Sequence, residues 1–246
     1  PGGTFPFISV IFPAPVSKVS LNIEVLYGVE VACREQGYGL SVTSLDIDHE
    51  DAQPAFDKEK DLINGVMDSG ALGAIILPYS TMSSPEMYNR MLIRAFPFVL
   101  IDRRVFGIEA PFVSSDNTAG FSTVVEHLIE MGHRKIAFVS GNTYETSSRS
   151  DRFTGYLQAM NRHRLPVNDS YIIHNMVPFD YNMVFYDQTV SGNDALRDST
   201  TKTLEHLMSL QEPPTAIAAT NDYLALFMMN IARGMGIRIP QELSIS

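Results

Sequence analysis

Short apolar runs alternate with longer amphipathic stretches along this chain. Phe7-Ile8-Ser9-Val10-Ile11-Phe12 reads as a buried strand, and Asn22 to Gln36 as a helix. Ile23, Val25, Leu26, Val29 and Ala32/Cys33 recur there at helical spacing until Gly37 stops it. Strands are predicted next over 40–45, 73–77 and 98–101, with helices over 57–68 and 85–95 between them. The rhythm restarts after Val113. Helices are predicted over 117–131, 149–163, 201–209 and 222–233, and strands over 135–140, 171–174 and 215–219, with a last apolar run at 243–245. Strands alternating with helices of about ten or more residues imply parallel sheets covered on both faces. Two such series predict an α/β fold of two Rossmann-like subdomains, 5–115 and 116–246, with a ligand cleft between them.

Composition narrows the function classes. The 246 residues are 45% hydrophobic and 19% charged, a globular balance with room for two modest cores. Eighteen Lys+Arg against 28 Asp+Glu leave a net charge of −10. A surface that acidic repels phosphate backbones and anionic lipid, so this stretch is not expected to grip nucleic acid or membrane by itself. Cys33 is the sole cysteine, which rules out an internal disulfide and a cysteine-rich zinc site and fits a cytoplasmic setting. No apolar run approaches the roughly 20 residues that span a bilayer. Pro1-Gly2-Gly3-Thr4 lacks the basic-then-apolar order of a signal peptide and reads as a cut end.

Open α/β sheets bind ligands at the carboxyl ends of their strands, so polar residues just after strands carry the functional information. Four places stand out: Asp102-Arg103, Arg149 to Arg152, Phe179-Asp180-Tyr181, and Asn221-Asp222. An acid, arginines, an amide and an aromatic suit a small polyhydroxylated ligand. Carboxylates accept from neighbouring hydroxyls, guanidinium donates in a planar fork, and an aromatic face covers the C–H face of a sugar. Each place also has a plain structural reading. Asp102-Arg103 can be a surface turn, Arg152 a solvated helix residue, Phe179 core, and Asn221 a helix N-cap. Enzyme motifs are missing: no G-x-G-x-x-G, Walker A loop or G-x-S-x-G elbow follows a strand. The six histidines lack metal-ligand pairing and read as solvated. No cofactor, metal or catalytic residue is expected.

Several segments resemble the effector-binding region of LacI/GalR-type bacterial transcription regulators, which shares its fold with periplasmic sugar-binding proteins. They include Gly28-Val29-Glu30, Gly73-Ala74-Ile75-Ile76, Val99-Leu100-Ile101-Asp102-Arg103 and Ser115-Asp116-Asn117-Thr118-Ala119-Gly120. The most specific is the run from His127 to Val139, HLIEMGHRKIAFV, followed by Arg152-Phe153-Thr154-Gly155-Tyr156, Asn221-Asp222 and Gly236-Ile237-Arg238-Ile239-Pro240. They cover nearly the whole chain in the family's order. The resemblance implies ligand contacts at Asp102, Arg103, Arg152, Phe179 and Asn221, with Asp116 capping a helix or reaching the cleft. It also implies a small sugar or sugar phosphate as effector, a homodimer through helices such as 57–68 and 85–95, and operator DNA held by an N-terminal part outside this chain. A GntR-type regulator with the same effector domain, or an extracytoplasmic sugar-binding protein of an ABC transporter, would share this pattern. Departures fall at the Pro-rich loop 13–18, at Leu77 and in the polar stretch 182–198. Arg152 and Asp102 are expected to bridge the cleft through the ligand, with Arg152 solvated in its absence and adding little to stability.

Overall fold

The alternation of apolar residues along each strand decides how the sheets are covered. In the first strand, β1 (Phe7–Phe12), Val10 and Phe12 face one layer while Ile11 faces the other, and all three are buried. Such double-sided burial is why the strand reads as a nearly continuous apolar run. The computed structural model describes residues 5–14, 20–45, 52–143, 145–176 and 194–246. Contacts divide the chain into two compact units, Pro1–Ser114 and Ser115–Ser246.

The first unit follows the order β1, α1 (Ser20–Glu35), β2 (Gly39–Ser44), α2 (Ala52–Asp68), β3 (Ala74–Ile76), α3 (Pro85–Ile93), β4 (Phe98–Ile101) and β5 (Phe112–Val113). Its sheet is parallel throughout, in the order β2-β1-β3-β4-β5. Val25, Leu26 and Val29 of α1 pack with Val10, Phe12 and Leu77 on one face. Ile63 and Val66 of α2 and Met87, Tyr88 and Met91 of α3 pack with Ile11, Ile76 and Leu100 on the other. The strand order reverses between β1 and β3, which is the topological switch point of this sheet.

The second unit runs α4 (Asn117–Glu130), β6 (Ile136–Val139), α5 (Ser147–Arg162), a 3-10 turn (Asp169–Tyr171), β7 (Ile172–Ile173), α6 (Asp194–Ser209), β8 (Ala216–Ala219), α7 (Asp222–Gly234) and β9 (Ser244–Ile245). Its parallel sheet has the order β7-β6-β8-β9, with the switch point between β6 and β8. Ile136 and Phe138 face α4 and α5, whereas Ala137 and Val139 face α6 and α7. Helices α4 and α5 pack closely because Gly155 lies against the Thr118 carbonyl. A Cβ there would stand 2.3 Å from that oxygen.

Three elements depart from the expected pattern. Strand β5 was not predicted: two residues between Pro111 and Ser114 are too short for a period to show. Helix α6 begins at Asp194 rather than near Thr201, since its first two turns bury only Leu196 and Thr200. Helix α2 likewise begins at Ala52 rather than near Asp57.

Candidate functional site

At the carboxyl end of β4 the chain turns sharply about Asp102. The Arg103 N–H donates to the Ile101 carbonyl at 2.6 Å and the Asp102 N–H to the Val113 carbonyl at 2.9 Å. Asp102 sits at a φ of 60°, a left-handed conformation that costs a residue other than glycine about 1–3 kcal/mol and persists only where its surroundings enforce it. Arg103 reaches across the end of β3, donating from Nη1 to the carbonyls of Pro78 (3.1 Å) and Tyr79 (2.8 Å). Its Nε stands 3.5 Å from the Asp102 carboxylate, and both side chains are about a quarter exposed. The acid and the base expected after this strand are thus brought together beside the β1/β3 switch point.

In the second unit Arg152 reaches the end of the equivalent strand, β8, from a different element. It projects from the second turn of α5; its Nε donates to Asn117 Oδ1 at 2.9 Å and its Nη1 to the Thr220 carbonyl at 2.7 Å. The side chain therefore spans from the start of α4 to the end of β8, at the β6/β8 switch point. Reading Arg152 as a solvated residue with little part in the fold is corrected by these two bonds. Asn221, next along from Thr220, caps α7 by accepting the Leu224 N–H at 2.9 Å. Asp116 caps α4 in the same way, accepting from Ala119 at 2.9 Å, and is exposed. Both caps have their structural role, and Asn221 in addition stands at the strand end that Arg152 grips. Arg149 pairs with Glu145 one turn earlier and donates to the Asn142 carbonyl. Phe179 lies outside the described residues.

Between the end of β6 and the first turn of α5 the sequence conceals buried hydroxyls, Ser140, Thr143, Thr146, Ser147 and Ser148, and Thr220 after β8 is buried as well. Ser140 and Thr220 face each other at 3.4 Å, and Thr143 meets His174 Nδ1 at 3.0 Å. The Phe153 ring stands edge-on to His174 at 4.8 Å, and burial pushes the His174 imidazole below its ordinary pKa. The expectation that every histidine is solvated is thereby corrected. The density of Ser and Thr over 140–150 is the signal that could have marked this group. A cavity of about 650 Å³ in the first unit runs along β1, β2 and α2, lined by Ser9, Thr43, Lys58 and Asp61 among others, and none of the residues singled out above borders it. Among the described residues no cluster of His, Cys, Asp or Glu is arranged to hold a metal ion.

Chemically, the two strand ends offer arginine donors, a carboxylate, amide groups and hydroxyls. The family of periplasmic binding proteins and the sugar binding domain of the LacI family matches residues 7–176, and the periplasmic binding protein-like domain family matches residues 125–246. The chain belongs to this LacI-type family. Two curated relatives are the arabinose metabolism transcriptional repressor of Geobacillus stearothermophilus and the HTH-type transcriptional repressor PurR of Vibrio atlanticus strain LGP32. The first is 28% identical over 231 residues, covering 90% of this chain and 55% of that protein. The second is 26% identical over 224 residues, covering 90% and 58%. A solved regulatory protein of LacI family from Chloroflexus aggregans superposes with a TM-score of 0.72 at 24% identity, covering 97% of this chain and 77% of that one, and this likeness bears on the fold. The chain spans about half the length of the curated relatives it matches. No described helix is long and apolar enough to cross a membrane.

Proposed function

We propose that this chain is the effector-binding part of a cytoplasmic bacterial transcription repressor, one that senses a small sugar or sugar derivative and makes or breaks no bond. Asp102 and Arg103 of the first unit and Arg152 and Asn221 of the second contact that effector, with Phe179 as the aromatic partner; Asp116 serves the helix it caps. The observation that carries the reading is Arg152 at the β6/β8 switch point. Two of its five donors are engaged among the described residues, which fixes its direction and leaves donors for a hydroxyl or carboxylate. Family membership and the regulator names of the relatives support a repressor over a transport protein. Operator DNA is held by a part outside these residues, in keeping with the charge of −10, and the protein acts as a homodimer through faces that include 57–68 and 85–95. Effector binding shifts the DNA-bound state by a coupling of typically ~1–3 kcal/mol.

The test uses L-arabinose, D-ribose, cellobiose, glucose 6-phosphate and inorganic phosphate as probes. At least one sugar is expected to raise the melting temperature of the chain and to alter operator retention by the longer protein in a gel-shift assay, while residues 1–246 alone retain no DNA at low salt. Tight, salt-dependent DNA binding by residues 1–246 would contradict the division of labour, and indifference to every sugar would contradict the effector class.

A further inference from the structure

Helix α2 carries a carboxylate where its apolar stripe should continue. Ala55, Ile63 and Val66 are buried, the last two against the sheet, and Glu59, at the same helical face, is 2% exposed in the midst of the charged run 57–61. A buried carboxyl needs hydrogen-bond partners to be tolerated. Its Oε1 accepts the Tyr79 N–H at 2.9 Å and the Tyr88 O–H at 3.1 Å, and the Ser83 hydroxyl bonds to it as well. Burial raises the carboxyl above its ordinary pKa, opposed by these bonds and by the nearby Arg103 guanidinium.

The geometry at Tyr79 gives this arrangement a direction. The Pro78 carbonyl and the Tyr79 N–H belong to one peptide unit. Glu59 holds that unit by its N–H, and Arg103 donates to its carbonyl at 3.1 Å and to the Tyr79 carbonyl beyond it at 2.8 Å. An acid and a base thus grip opposite poles of the same amide, and each bond polarises the amide in favour of the other. Ser83 closes the loop by accepting the Ser80 N–H at 3.0 Å. Arg103 in turn lies beside Asp102, whose left-handed turn depends on the same surroundings.

We propose that Glu59 is a positioning residue of the effector site: through the Pro78–Tyr79 peptide unit it fixes the Arg103 guanidinium, and with it the neighbouring Asp102 carboxylate, in place. Its functional meaning rests on the assignment of Asp102 and Arg103 to the effector, whereas its structural content does not. The test is nuclear magnetic resonance of the 246-residue chain without any effector, comparing Glu59→Leu, Glu59→Gln and Tyr88→Phe with the parent. Glu59→Leu removes the acceptor, so the Tyr79 amide should exchange at least about tenfold faster while amides of β1 and β6 keep their protection. Glu59→Gln keeps an acceptor and should restore Tyr79 protection, yet the Arg103 Nε–H resonance should move because an amide replaces the acid on the far side of the shared peptide unit. If Glu59→Leu does not fold, Glu59→Gln and Tyr88→Phe carry the test, the latter through a smaller displacement of the same Arg103 signal. An Arg103 resonance unmoved in the folded variants, or protection lost evenly across the first unit, would overturn the proposal. Failure of every sugar to bind would instead count against the effector assignment alone.

Discussion

In each unit an arginine reaches the carboxyl end of the strand across the switch point, β3 or β8, from a different element, and the two are held by different means. In the first unit Arg103 is set by charge: a buried acid acting through one peptide unit, a carboxylate 3.5 Å away, and a turn at a φ of 60°. In the second, Arg152 is set by neutral acceptors, the Asn117 amide and the Thr220 carbonyl, on a helix pressed against α4 at Gly155. A charged, strained arrangement stores free energy that a ligand could redirect, while a neutral, close-packed one is a rigid platform. The contrast predicts that changes in the second unit lower stability, whereas one particular change in the first raises it.

The largest effect is expected at Gly155. A methyl group 2.3 Å from the Thr118 carbonyl and 3.0 Å from the Ser122 nitrogen cannot be accommodated without separating α4 from α5. Gly155→Ala should cost about 1–3 kcal/mol or more, as overpacking does, and carry Arg152 away from Asn117. A denaturant midpoint equal to the parent's would show that the two helices yield more easily than their packing implies. Arg152→Ala comes next. It leaves Asn117 and the Thr220 carbonyl without their charged donor, a loss of about 1–3 kcal/mol, and Arg152→Lys should recover only part because lysine lacks the planar fork. Chemical denaturation monitored by circular dichroism reads both, and an unchanged midpoint for Arg152→Ala would restore the view of a solvated side chain.

Smaller effects separate the two helix caps. Asn221→Ala removes the bond to the Leu224 N–H and should cost about 1 kcal/mol, with Asn221→Ser nearly neutral. Asp116→Ala should cost less, since the exposed start of α4 is open to water. Equal losses in thermal melts would mean that Asn221 contributes no more than a cap does. The smallest effect has the opposite sign. Asp102→Gly relieves a left-handed residue of its Cβ, so stability should rise by up to about 1 kcal/mol unless the Arg103 contact outweighs the strain. A fall of similar size would show that the ion pair dominates the turn.

How much of this was legible in the sequence follows from how each residue makes its contacts. Long strands such as β1 are visible because both faces are covered and the run is apolar throughout. β5, with two residues, carries too little period to read, whereas β7, equally short, falls inside the strand expected over 171–174. Asp102 and Arg103 could be found because they interrupt an apolar run at its end. Asn117 and Thr220 could not: small polar residues that gain their meaning only when α4, α5 and β8 meet leave no local mark. Glu59 was hidden in a charged run that looks solvated, although its four-residue spacing from Ala55 and Ile63 places it on the buried stripe.

The central proposal is that Asp102 and Arg152 each contact the effector, and the most direct measurement is calorimetric titration. A sugar that binds the parent chain is titrated into Arg152→Lys and Asp102→Asn, each checked for a native fold. The account predicts a loss of roughly 10- to 150-fold in affinity for each variant, the equivalent of about 1.5–3 kcal/mol for a charge-assisted hydrogen bond. Parent-like affinity in either folded variant would remove that residue from the site, and parent-like affinity in both would contradict the claim.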